Sequence, residues 1–152
     1  MSQDGVGIDL ETSLGYLLKE ASSALRAAME EVLRPLGMNV THYSCLELLA
    51  QRPGLSNSEL ARGAFVTRQT MNVLIQSLER EGYVTRPAAA PVGKALPTRL
   101  TPRGRRSLDH ASAAVRSVEV RMQAGLSESE RSDTFRILQR MIRSLRDGDN
   151  GV

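Results

Sequence analysis

One run of polar side chains in the middle of the sequence has the chemistry to recognise the edges of nucleic-acid bases. These residues fall on one side of a single predicted helix: Arg68, Gln69, Asn72 and Gln76. An arginine can bridge the O6 and N7 atoms of guanine, and Asn or Gln can pair with the adenine edge. Thr67, Thr70 and the first backbone amides of the same helix are better suited to hold phosphate. A plain solvated helix face is the alternative interpretation.

Two closely spaced helices are predicted to position this run. Ser56 and Glu59 have the spacing of a capping box at the start of a short helix. Thr67 is then expected to cap a second helix over 68–81, with Gly82 just past its end. The inward face of the second helix is apolar, with Met71, Leu74, Ile75 and Leu78. Two helices joined by so tight a turn are typical of a helix-turn-helix, whose second helix enters the major groove.

A β-hairpin is predicted directly after the second helix, with strands over 83–86 and 96–100 and a loop of small residues between them. Basic side chains fall on both strands and at the tip: Arg86, Lys94 and Arg99. A basic hairpin in this place is typical of a wing, which follows the phosphate backbone or enters the adjacent minor groove. With such a wing beside it, the polar helix face is better explained by DNA binding than by solvation.

The charge of the chain is divided unevenly along its length. Residues 52–106 contain ten Lys or Arg against three Asp or Glu, whereas the rest of the chain has ten against fourteen, for a net charge of +3. A basic middle between acidic flanks is expected of a module that binds a polyanion. The charge pattern therefore favours double-stranded DNA as a partner.

Other classes of function have little support in the sequence. One cysteine and two histidines are too few for a disulfide or a metal site of the usual kinds. No nucleophile–base arrangement and no glycine-rich phosphate loop suggests catalysis. No stretch has the length and apolarity of a membrane span, and the first residues do not have the pattern of a signal peptide. We therefore expect a cytoplasmic protein with no catalytic site, metal or cofactor and no membrane partner.

Amphipathic helices are predicted on both sides of the basic middle. The first runs over 9–34, and a second is expected to be capped by Thr41. Two long helices follow the hairpin. One starts at Pro102, and the last has the capping-box pattern of Ser127 and Glu130 at its start. With so few aromatic residues, this order of elements predicts a mainly α protein with a small β-hairpin.

The first and last helices carry apolar faces that need a partner. These faces comprise Leu14, Leu17, Ala21 and Ala28 in the first helix and Phe135, Leu138, Ile142 and Leu145 in the last. In a monomer the two helices could pack against each other. However, helix-turn-helix proteins usually gain affinity by presenting two recognition helices about one DNA turn apart, in a two-fold dimer. The sequence therefore favours a homodimer that binds a pseudo-palindromic operator.

The chain resembles the MarR family of bacterial regulators. The resemblance lies in Leu-Glu-Arg-Glu-Gly-Tyr-Val at 78–84, the following Arg86, and Arg-Leu-Thr-Pro-Arg-Gly at 99–104, and it extends from about Leu10 to Leu145. It implies a winged helix-turn-helix homodimer, formed as a single domain over 1–152. Dimerisation helices would span 8–35 and 102–147, and the DNA-binding lobe 41–101. It also implies a repressor that a small phenolic or lipophilic effector releases from DNA.

The tip of the hairpin departs from the family pattern. An Asp-x-x-Asp-Arg-Arg stretch is usual there, but this chain has Ala-Ala-Pro-Val-Gly-Lys over 89–94, so that Lys94 is the only charge at the tip. Lys94 can hold a phosphate as a point charge but lacks the bidentate fork of arginine. This departure leaves an alternative function open, namely an effector-binding or protein-interaction homodimer that keeps the fold but has lost operator binding.

A few residues are candidates for an effector pocket. His42 and Tyr43 begin the second helix and could line such a pocket, as could Tyr16. The alternative for each is an ordinary place in the fold, with a histidine at the surface or a tyrosine packed on the core. Cys45 lies among leucines, and a buried core cysteine is expected there rather than a redox-sensing thiol.

Overall fold

The computed structural model describes residues 7–86 and 97–147. Within those residues, six α-helices and one two-stranded β-ribbon follow each other along the chain. In chain order they are α1 (Leu14–Leu33), α2 (Val40–Gln51), α3 (Asn57–Gly63), α4 (Arg68–Arg80), β1 (Val84–Thr85), β2 (Arg99–Leu100), α5 (Pro102–Gln123) and α6 (Glu128–Asp147). A single 3₁₀ turn over Arg34–Leu36 follows α1. This is the mainly α fold with a small hairpin that the sequence predicts.

Side-chain caps set the first residues of α1 and α2, and both starts differ from the sequence prediction. Helix α1 begins at Leu14 rather than at Asp9, because the Ser13 hydroxyl accepts a hydrogen bond from the Tyr16 N–H at 3.1 Å. Helix α2 is capped by Asn39 rather than Thr41: Asn39 Oδ1 accepts the N–H of His42 at 2.8 Å. Asparagine is at least as good an N-cap as threonine, so the earlier residue takes the position.

The chain divides into two units, Met1–Val118 and Glu119–Val152. The first unit has an apolar core at the meeting point of α1, α2, α3, α4, β1 and α5, and its fully buried members include Leu33, Leu46, Leu60, Met71, Ile75 and Leu78. Helix α4 contributes its predicted inward face to this core, although Leu74 is only partly buried. The core therefore fixes which face of α4 points outward.

Helix α6, in the second unit, buries none of its residues within the protomer. Its exposed apolar side chains are Phe135, Ile137, Leu138, Ile142 and Leu145. A helix that buries none of its own residues gains little stability from its amphipathic pattern.

The hairpin is held to the start of α5. Its two strands pair antiparallel, with Val84 opposite Leu100 and Thr85 opposite Arg99. Thr101 follows β2, and its hydroxyl donates to the Gly82 carbonyl at 2.6 Å and accepts the Gly104 N–H at 3.0 Å. One threonine side chain thus connects the end of α4, the base of the wing and the first turn of α5.

Candidate nucleic-acid interface

The outward face of α4 carries most of the side chains that the sequence predicts to contact DNA. Thr67, Arg68, Gln69, Thr70 and Gln76 are all exposed, whereas Met71, Ile75 and Leu78 on the opposite side are buried. The buried face fixes the orientation of the helix, so these polar side chains all lie on the side that faces away from the core. An anchored helix with a free polar face is what insertion into a groove requires.

The start of α4 is capped by Thr67, whose side chain also contacts Thr70. The Thr67 hydroxyl accepts the Thr70 N–H at 3.1 Å and donates to the Thr70 hydroxyl at 2.9 Å. The two hydroxyls, which the sequence assigns to phosphate, are therefore partly used within the cap. The remaining backbone N–H groups of the first turn are the better phosphate donors, since they have no intrahelical acceptor.

Asn72 is more constrained than its neighbours on this face. It is half-buried, and its Oδ1 accepts a hydrogen bond from Asn57 Nδ2 at 2.9 Å. Asn57 is the first residue of α3, fifteen positions earlier in the chain. Asn57 was not predicted from the sequence as a site residue. Its polar character in the first turn of the bracing helix is the one signal that could have indicated it.

The base of the wing is also tied to α4. Arg86 Nε lies 3.1 Å from Glu79 Oε2, and 27% of the Arg86 side chain remains exposed. Arg99, on the other strand, is exposed. The predicted tip cation, Lys94, lies outside the described residues. Of the two predicted wing cations in the described part of the chain, Arg86 is paired with Glu79. Arg99 is exposed and forms no ion pair with a described residue.

Tyr83, at the base of the wing, packs against side chains of both α2 and α5. The His42 ring meets it edge-on with 5.5 Å between ring centroids, and the Arg103 guanidinium lies 4.7 Å from the centre of the tyrosine ring. Burial lowers the pKa of His42, although the charge of Glu81 opposes this shift. His42 is therefore half-buried against the wing, not at the surface, and its buried Nε2 has no hydrogen-bond partner among the described residues.

Tyr43 lies in a small cleft of about 200 Å³ on α2, together with Glu47 and Arg52. Its hydroxyl donates to Glu47 Oε2 at 2.7 Å, and Ser112 of α5 donates to the same oxygen at 2.9 Å. Burial alone would raise the pKa of Glu47, but these hydrogen bonds and one from Gln51 lower it. The carboxylate therefore stays ionised at neutral pH and fastens α2 to α5.

The structure does not gather the three candidate effector residues into one pocket. Tyr16 lines a different, open cleft along the N-terminal half of α1. Tyr43 lines the small cleft on α2, and His42 lines neither of these two clefts. Their role in effector binding remains a prediction.

The burial predicted for Cys45 is confirmed, since its side chain has no exposed surface. Burial raises the pKa of the thiol to about 12. The thiolate is the reactive form of cysteine, and at pH 8 almost none of it is present when the pKa is this high. We therefore expect the native protein to react with a disulfide reagent such as DTNB only as fast as it unfolds. In denaturant Cys45 should react at once, and rapid labelling of the folded protein at pH 8 would contradict the burial.

Phe65, in the turn between α3 and α4, was not identified from the sequence as unusual. It has a backbone φ of 59° and an exposed fraction of 85%. The left-handed region is unfavourable for residues with a Cβ and open to glycine. The ring gains little burial in return for this conformation.

Replacing Phe65 by glycine should therefore raise the free energy of unfolding, by about 0.5–1 kcal/mol, as measured by urea denaturation. Phe65→Ala is the matched control, because it removes the ring but keeps the Cβ. It should change stability by less than about 0.5 kcal/mol. If alanine stabilised the protein as much as glycine does, the backbone conformation would not be the cause.

Residues 7–86 and 97–147 contain neither a cluster of metal-binding side chains nor a membrane-spanning helix. No group of three or more His, Cys, Asp or Glu residues in these ranges is placed to hold a metal ion. No helix in them is long and apolar enough to cross a membrane.

The sequence and the fold both match known regulators. A family model described as MarR family matches residues 36–95. The HTH-type transcriptional repressor Rv2887 of Mycobacterium tuberculosis is 40% identical over 136 residues, which cover 90% of this chain and 98% of that protein. The structure of Rv2887 in complex with DNA has a TM-score of 0.71 and 39% identity, covering 86% of this chain and 98% of that chain.

A second structure of the same relative, in complex with salicylic acid, gives a TM-score of 0.71 and 41% identity, with 86% of this chain and 96% of that chain covered. Each of these likenesses covers at least 86% of this chain. The resemblance predicted from 78–84 and 99–104 is thereby confirmed. The chain belongs to the MarR family of winged helix-turn-helix transcriptional regulators.

Proposed function

We propose that this protein is a transcriptional repressor that binds a pseudo-palindromic operator through α4. The observation that carries the proposal is the exposed polar face of α4, which presents Arg68, Gln69 and Gln76 while its other face is buried in the core. Rv2887, named as a repressor and solved with DNA, supports the same assignment. Arg68 and the two glutamines contact bases, and the wing cations Arg99 and Lys94 hold phosphate. The protein has no catalytic role, and it acts in the cytoplasm, where it binds its operator.

The protein acts as a homodimer, in which 8–35 and 102–147 dimerise and 41–101 bind DNA. Support comes from α6, whose Phe135 and Leu145 are 67% and 80% exposed and which buries no residue in the protomer. At the other end, α1 also exposes Leu14 and Leu17. A second copy of the chain would cover these apolar faces and place two α4 helices about 34 Å apart on DNA.

A small phenolic or lipophilic effector releases the operator. Rv2887 has been solved with salicylic acid, which is an aromatic ligand of this kind. In this chain the Tyr43 hydroxyl already donates a hydrogen bond to the Glu47 carboxylate at 2.7 Å, which leaves it less available to a ligand. The open cleft around Tyr16 lies on a helix that the second subunit would cover, so the effector site is completed by the dimer. Salicylate should accordingly weaken DNA binding in a titration.

The salt dependence of DNA binding tests the repressor assignment. A duplex from upstream of the protein's own gene should bind, and its affinity should fall by about a thousandfold or more between roughly 50 and 200 mM salt, because neutralised phosphates release counterions. A duplex of the same composition in scrambled order should bind more weakly at every salt concentration. Undetectable binding at low salt would favour the alternative, a homodimer that has kept the fold and lost operator binding.

A further inference from the structure

The hydrogen bond between Asn57 and Asn72 limits what Asn72 can offer to a base. A carboxamide has an acceptor side, the oxygen, and a donor side, the NH₂ group. Asn57 Nδ2 donates to Asn72 Oδ1 at 2.9 Å, so the acceptor side of Asn72 faces α3. If Asn72 alone turned over, the two NH₂ groups would face each other without an acceptor. Turning both amides together would keep one hydrogen bond but reverse its direction, and this reversed arrangement is the one that an aspartate at position 57 would impose.

The donor side of Asn72 remains available. Its Nδ2 makes no hydrogen bond to any described residue, and it is absent from the buried unpaired polar atoms of that part of the chain. It is therefore reachable from solvent. On an α-helix, Asn72 shares a face with Arg68 and Gln76, which are one turn before and one turn after it. Asn72 lies between those two residues on this face, so a major groove that receives both of them also receives the Asn72 NH₂ group.

We infer that Asn57 is a positioning residue that makes Asn72 a hydrogen-bond donor towards DNA, an inference that rests on the proposed function. Such a donor selects base-edge acceptors, of which guanine offers two, O6 and N7, and thymine offers O4, whereas the single acceptor of adenine, N7, lies beside its amino group. It disfavours the bidentate pairing with adenine that the sequence alone suggests for an asparagine, because that pairing needs the amide oxygen as well. Specificity at this base pair is thus set from α3, by a residue that need not touch DNA.

Exchanging Asn57 for aspartate tests this inference. A carboxylate only accepts hydrogen bonds, so in Asn57→Asp the Asn72 amide must turn its NH₂ group towards α3 and present its oxygen to the base. Each protein is used to select from a pool of randomised duplexes, and affinities are then measured for duplexes that differ at one base pair. The wild-type chain should favour guanine or thymine acceptors there, and Asn57→Asp should favour the amino groups of cytosine or adenine, each by about fivefold.

Three variants make the result specific. Asn72→Ala should abolish the preference at one base pair only, which identifies the position that Asn72 contacts. Asn57→Ala should relax the preference at that base pair to within about twofold, since the amide is then free to turn. Ser58→Asp adds the same charge to the next residue of α3; it should weaken binding to all duplexes alike and leave the preference unchanged.

Two outcomes overturn the inference. One is an Asn57→Asp protein that selects the same base as the wild type at the Asn72 position; the other is an Asn57→Ala protein that retains the full preference. The second outcome decides the matter even if the aspartate variant does not fold, which thermal unfolding of each variant would show. Failure of the wild-type chain to enrich any duplex at low salt would instead overturn the proposed function, and the inference with it.

Discussion

Arg68→Ala should weaken operator binding by about 1–3 kcal/mol and remove the preference at one base pair. Arg68 is the first residue of α4, it is exposed, and none of the ion pairs in the described part of the chain includes it. Its guanidinium is therefore available to bridge guanine. The same substitution should change the free energy of unfolding by less than about 0.5 kcal/mol, because the exposed side chain forms no ion pair or hydrogen bond with any described residue. Binding titrations and urea denaturation measure the two quantities.

Two further substitutions separate base recognition from simple charge. Arg68→Lys keeps the positive charge but not the planar fork, so it should lose most of the base preference while retaining more affinity than alanine. Lys94→Ala should weaken all duplexes to a similar extent, as expected for a contact to phosphate. An Arg68→Ala protein with unchanged affinity and unchanged preference would show that α4 is not the recognition helix.

Local chemistry explains which features of this fold could be predicted from the sequence. The capping box of Ser56 and Glu59 and the left-handed Gly82 depend on atoms within a few residues of each other, and the structure contains both. The capping hydrogen bonds of Ser127 and Glu130 are likewise present. The amphipathic pattern of α4 was predictable for a related reason, since burial of Met71 and its neighbours repeats with the helix period.

Features that depend on long-range contacts could not be predicted in the same way. The Asn57–Asn72 hydrogen bond joins residues fifteen positions apart, and Arg86 reaches Glu79 across the end of α4. Spacing along the chain does not indicate either pair, because α3 and β1 meet α4 only in the folded structure. The start of α2 was missed for a different reason. Asn39 and Thr41 are both good caps, and local preference alone does not decide between them.

Gly104→Ala should be the most destabilising of the substitutions considered, lowering the free energy of unfolding by about 3 kcal/mol. Gly104 is buried in the first turn of α5, and an added Cβ would overlap the Tyr83 carbonyl oxygen. The carbonyl carbon of Tyr83 would lie at 3.0 Å and Leu100 Cδ2 at 3.3 Å from that Cβ. Because the obstructing atoms are mainly backbone, no side-chain rotation can relieve the overlap. Helix α5 must move away from β1, which strains the two hydrogen bonds of Thr101.

Gly15→Ala provides the matched control, because Gly15 also lies in the first turn of a long helix. The nearest atom to a Cβ at Gly15 is the Ser13 hydroxyl oxygen at 3.8 Å, which is an ordinary contact. Alanine should therefore stabilise α1 by up to about 1 kcal/mol through its better helix propensity. Urea denaturation of the two variants should give shifts of opposite sign. Equal shifts would mean that the close approach of α5 to Tyr83 does not require glycine at position 104. Opposite shifts would show that the close approach of α5 to the Tyr83 backbone requires a residue without a Cβ at position 104, and that helix propensity alone does not decide which residue stands there.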